Sequence, residues 1–94
     1  MRLMLTFAIP VEKGNAAYKD GSLGKAIEKL LADTKAEAAY FTLVDGERGG
    51  MIFFEESDPA RIPQIVEPFF IALDAHIEIV PVINPEELKR GLGG

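Results

Sequence analysis

Residues 37–56 read EAAYFTLVDGERGGMIFFEE. Two short, β-rich runs flank a cluster of turn-forming residues, which is the signature of a hairpin. Side chains alternate along a strand, so Ala39, Phe41 and Leu43 fall on one face. Ala38, Tyr40, Thr42 and Val44 fall on the other. Asp45-Gly46-Glu47-Arg48-Gly49-Gly50 reads as the connecting loop, with glycine supplying positive φ. Residues 51–56 form the returning strand. The fold then depends on what flanks this hairpin.

Upstream, Leu23, Ala26, Ile27, Leu30, Leu31 and Thr34 repeat at helical spacing and predict an amphipathic helix over 22–34. Ser22 or Asp20 is its candidate cap. Residues 10–21 read as a loop or irregular helical lead-in, punctuated by Gly14, Asn15 and Gly21. Residues 2–9 (RLMLTFAI) read as a strand that Pro10 terminates. Downstream, Ser57-Asp58-Pro59 is a helix-start signal. Ile62, Ile65, Val66, Phe69, Phe70 and Leu73 give the cleanest helical stripe in the chain. Pro63 fits a first turn, whereas Pro68 removes an internal hydrogen bond and predicts a kink. Residues 76–83 (HIEIVPVI) read as a fourth strand, at a sheet edge because Pro81 has no donor to offer a neighbour. Asn84-Pro85-Glu86-Glu87 opens a short C-terminal helix that ends in glycines.

The order β-α-β-β-α-β plus a terminal helix is the ferredoxin-like, split βαβ arrangement, an α+β fold. Right-handed crossovers place both main helices on one face of a four-stranded antiparallel sheet. At 94 residues the expectation is one domain, 1–94, with a single modest core. With 48% apolar and 27% charged residues the composition is that of an ordinary globular chain.

Composition also narrows the chemistry. Without cysteine there are no disulfides, thiolate metal sites or cysteine nucleophile. A single histidine, His76, gives no His-rich metal site, and no metal or cofactor is expected. A net charge of −5 argues against nucleic acid or an anionic membrane as partner. No apolar run approaches the roughly 20 residues of a membrane span. Met1-Arg2 begins like a signal peptide, but Pro10, Glu12 and Lys13 follow too soon, so the expected location is cytoplasmic.

Two helices cover one sheet face only. Leu3, Leu5, Phe7, Ile9, Phe41, Leu43, Ile77, Ile79 and Ile83 are expected to face them. Met4, Thr6, Ala8, Tyr40, Thr42, His76, Glu78, Val80 and Val82 are left on the other face. The reading taken for the third strand puts Met51, Phe53 and Glu55 on that open face and Ile52 and Phe54 inside; the opposite parity gives the same alternation. The open face is semi-apolar, with a flat footprint of roughly 300–500 Å² from ordinary strand spacing. That area is near the largest patch a monomer shows and does not itself require a partner. The make-up (Met, Phe, Tyr, Val and Thr with few charges) points to a homodimer closed face to face, against a monomer with a solvated face, a higher oligomer or a different partner.

The segments Met4-Leu5-Thr6-Phe7-Ala8-Ile9-Pro10, Gly50 to Glu55 running into Asp58-Pro59, and Phe70 through Val82 resemble a family of small bacterial domains of unknown function. That family lies in the dimeric α+β barrel superfamily. The resemblance implies a ferredoxin-like chain that dimerises through its sheets. The superfamily includes isomerases, cofactorless monooxygenases, haem proteins and plain ligand-binding modules, so the fold selects no chemistry.

Two sets of residues are candidates for function. His76 and Glu78 lie two apart on a strand and share a face with Thr6 and Glu55. A carboxylate beside an imidazole suits proton abstraction next to a carbonyl. That points to a cofactor-independent isomerase or monooxygenase, with His76, Glu78 and Thr6 as catalytic candidates. Against it stands a simpler reading, in which His76 marks the wet end of a strand and Glu78 is solvated. The second set is Tyr40, Phe53, Glu55, Phe69 and Phe70, as walls of a site for a small apolar or aromatic metabolite; with no such site, the chain reads as an interaction module. Phe69 and Phe70 would border room left by a kink at Pro68; equally, they are ordinary core. Arg48-Gly49-Gly50 reads as loop and not as an RNA-binding tract.

Overall fold

A computed structural model describes residues 1–94. Its elements are β1 (Arg2–Ile9), α1 (Val11–Asp20), α2 (Ser22–Thr34), β2 (Ala38–Val44), β3 (Glu47–Glu55), α3 (Arg61–Leu73), β4 (His76–Pro81) and α4 (Pro85–Gly91). The four strands form one antiparallel sheet in the order β2-β3-β1-β4, the ferredoxin-like order. β4 is an edge strand, as the missing donor of Pro81 requires.

One core binds the sheet to the helices. Leu5, Phe7 and Ile9 from β1 and Ile52 and Phe54 from β3 meet Ala17, Leu30, Ile65, Phe69 and Leu73 from α1, α2 and α3. The parity read for β3 holds: Ile52 and Phe54 are fully buried, whereas Met51 and Phe53 are half-exposed on the face without helices.

The segment read as loop or lead-in is a helix, α1. Its sequence VEKGNAAYKD has too few apolar residues to show a stripe, and only Gly14 and Ala17 are buried. Gly21 ends α1 in the left-handed conformation (φ 83°), and α2 starts from it. α3 begins at Arg61, so Pro63 sits in the first turn, where its missing N–H costs nothing. The Asp58 side chain accepts from Ala60 N–H at 3.0 Å and shapes that approach. α4 carries a full capping box: Asn84 Oδ1 accepts from Glu87 N–H at 2.8 Å, and Glu87 Oε1 accepts from Asn84 N–H at 2.9 Å.

The loop of the hairpin is shorter than read. Only Asp45 and Gly46 turn, both at positive φ (51° and 78°), as a type I′ pair demands. Gly49 and Gly50 lie within β3, because side chains there have no room. A Cβ on Gly49 would lie 2.3 Å from the Phe7 carbonyl oxygen, and one on Gly50 would lie 2.5 Å from that of Tyr40. β4 stops at Pro81, which leaves Ile83 60% exposed outside the sheet and not facing a helix. Phe41 and Leu43 are on the helix side as read, but they overrun the helices and are 53% and 72% exposed.

Candidate functional site

On the open face, side chains stand in rows set by register. Tyr40, Met51, Thr6 and Glu78 form one row, and Ala38, Phe53, Met4 and Val80 the next. A third row runs Thr42, Gly49, Ala8, His76. Its two central members are small, so the sheet floor dips there. Thr6 and Ala8 border this dip with His76 and Glu78, and Val44, Asp45 and Glu47 of the hairpin close its far side, enclosing about 390 Å³.

The structure therefore brings Thr6, His76 and Glu78 together. Antiparallel register sets Thr6 directly opposite Glu78 and Ala8 opposite His76. It does not bring Glu55 to them. Glu55 pairs with Arg2, four residues back along β1 from Thr6, roughly 13 Å at ordinary strand rise. There it forms an ion pair with the Met1 amino group. His76 and Glu78 are exposed, and no side chain orients the imidazole. No three His, Asp or Glu side chains converge in metal-ligating geometry.

The aromatic candidates are split across the molecule. Tyr40 and Phe53 meet edge to face on the open side, with centroids 6.4 Å apart. Phe69 is inside the core, edge-on to Phe7 at 5.1 Å, and Phe70 packs at the core margin. The space expected between helix and sheet at Pro68 is instead a void of about 50 Å³ between α2 and α3, bordered by Ala26, Leu30 and Phe69. It suits a water or two, not a metabolite.

A second hollow, absent from the sequence reading, lies on the helix side. The β2–β3 hairpin overruns α2 and leaves a groove of about 460 Å³, with Leu23 and Ile27 on one wall and Phe41 and Leu43 on the other. Phe7 and Ile9 form its floor and Arg48 its one charged group. Arg48 escaped the sequence reading because it was placed in a loop. In β3 it stands opposite Ile9 and Leu43, on the helix side.

Away from both hollows the fold biases three carboxylates toward the charged form. Backbone N–H donation from Asn84, then the Arg2 guanidinium, holds Glu87 below its ordinary range. Donation from Asp58 N–H, and then Arg61, does the same for Glu56, and hydrogen bonding from Ser22 does so for Asp20. The Arg2–Glu87 contact, 3.1 Å, ties α4 to β1.

No protein-family profile matches the chain, and no curated protein matches it in sequence. Among solved structures, a de novo designed protein, Ferredog-Diesel, is similar at 12% identity with a TM-score of 0.49. The similarity spans 86% of this chain and 85% of that one. Of the resemblance drawn from the sequence, the ferredoxin-like fold stands on the strand order itself, and the family finds no match. No helix is long and apolar enough to cross a membrane.

Proposed function

We propose that the chain is a homodimeric binding module, paired through its open sheet faces, that takes a small apolar or aromatic ligand in the cytoplasm. One observation carries this reading: Met4, Met51, Phe53, Tyr40 and Val80 form a contiguous strip on a face that no helix of the chain covers. Tyr40 is 62% exposed there although it is large and amphipathic. Aromatic residues and methionine are the types that interface cores favour. The terminal segment supports the same reading. α4 buries none of its residues; Leu88 within it and Ile83 and Leu92 on either side of it are exposed. The molecule is drawn out to 52 Å along its long axis, with apolar surface that a second copy would cover.

Light scattering on a sizing column tests the pairing. The wild-type chain is expected at twice its 10.3 kDa mass. Phe53→Glu, which sets a charge at the centre of the strip, is expected to give a folded monomer. A wild-type chain that stays monomeric up to high micromolar concentration contradicts the reading.

The dip that gathers Thr6, His76 and Glu78 favours a second reading, a cofactor-independent isomerase or monooxygenase with His76 as base. The exposure of His76 and the lack of an orienting partner weigh against it. Loss of turnover on an acidic carbon substrate in His76→Ala, with assembly intact, would establish it.

A further inference from the structure

The groove between α2 and the β2–β3 hairpin joins an apolar lining to one cation. Gly50 lies between Phe7 and Phe41 in the same cross-strand row, and the two rings meet over it with centroids 6.4 Å apart. Leu23 and Ile27 of α2 face them across the opening. At about 460 Å³ the groove is in the range of small-molecule sites.

Arg48 is unlike the other arginines. Arg2, Arg61 and Arg90 each face a carboxylate, at 3.1, 3.2 and 3.7 Å. Arg48 faces none, although the chain carries a net charge of −5. Its guanidinium is held by a neutral group instead: Nη2 donates to Asn15 Oδ1 at 3.0 Å. It also lies against Gly14 of α1, where an added Cβ would come within 2.7 Å of Nη1. So α1 supplies a seat for this side chain and leaves its charge unmatched. The contact with Asn15 is solvent-exposed, so the charge is hydrated; a cation without a counter-ion at the edge of an apolar groove offers a charge-assisted contact to an anion with an apolar body.

We propose that this groove binds a small amphipathic monocarboxylate, its ring or chain against Phe41, Leu23 and Ile27 and its carboxylate on Arg48. This deepens the binding half of the proposed function and does not depend on the pairing of sheet faces.

The test is an NMR titration of ¹⁵N-labelled protein with 2-naphthoate and with its neutral isostere, 2-naphthamide. Naphthoate is expected to shift the amides of residues 23–27 and 41–49 and to bind about tenfold more tightly than the amide, the weight of one charge-assisted contact. Arg48→Gln is expected to remove that difference, weakening naphthoate by about tenfold more than naphthamide. Phe41→Ser is expected to weaken both. Equal affinities for the two probes, shifts centred on Met4, Met51 and Phe53, or naphthoate binding untouched in Arg48→Gln would each overturn the proposal. So would movement of the groove amides with protein concentration alone, which would mean that a second copy occupies the groove. Phe53→Glu separates this inference from the dimer: the monomer is expected to bind naphthoate as the wild type does.

Discussion

β1 places alternate residues in two environments. Leu5 and Ile9, toward the helices, are fully buried. Met4 and Thr6, on the same strand, are half-exposed. Strand propensity hardly distinguishes these residues; coverage of the face does. β3 repeats the contrast, with Ile52 and Phe54 buried and Met51 and Phe53 half-exposed. One sheet face is thus a finished core, and the other is apolar surface without a cover within the chain.

The adjacent phenylalanines of β3 give the sharpest way to break this comparison. Phe54→Ala is expected to cost about 3–5 kcal/mol, the usual penalty for emptying a core phenylalanine site. Phe53→Ala is expected to cost the folded chain about 1 kcal/mol and to act mainly on association. Urea unfolding at low and high protein concentration separates the two effects. Comparable losses at both positions, independent of concentration, would contradict the two-face account.

Next in size are two glycines. Gly49→Ala forces a Cβ against the Phe7 carbonyl and the Val44 side chain, and is expected to cost about 1–3 kcal/mol. Gly24→Ala meets nothing within 4 Å in α2. It is expected to stabilise by about 0.5–1 kcal/mol, through helix propensity and a less flexible unfolded chain. Thermal melts of the two variants should move in opposite directions.

The smallest effect is that of pH. Asp20, Glu56 and Glu87 titrate lower in the folded chain than their ordinary values of 3.8, 4.5 and 4.5. Their contribution is therefore present above pH 4.5 and is lost as the pH falls through the lowered values. Asp20 is exposed and Glu56 and Glu87 lie at the surface in partial contact with solvent, so screening limits each contribution. The urea midpoint is expected to fall between pH 6 and pH 3 and, in Glu87→Gln, to be lower at pH 6 and to fall less.

Much of this frame was legible in the sequence. The period of the apolar residues gave α2, α3 and the strands, and Pro81 marked β4 as an edge. α1 was not legible, because a helix that buries little more than Gly14 and Ala17 writes no apolar stripe. The hairpin was misread where Gly49 and Gly50 looked like loop; their need is for close strand approach, which has no local signature. That error hid Arg48. For the candidate site, shared parity placed Thr6, His76 and Glu78 on one face, but only register decides neighbours. Register set Thr6 beside Glu78 and sent Glu55 to Arg2.

The most direct test of the open sheet face is an isotope-filtered NOE experiment on an equimolar mixture of ¹³C-labelled and unlabelled chains. Pairing through the sheets predicts intermolecular NOEs from the Met4 and Met51 methyl groups to the rings of Phe53 and Tyr40. Intermolecular NOEs confined to other surfaces, or none at all at millimolar concentration, would contradict it.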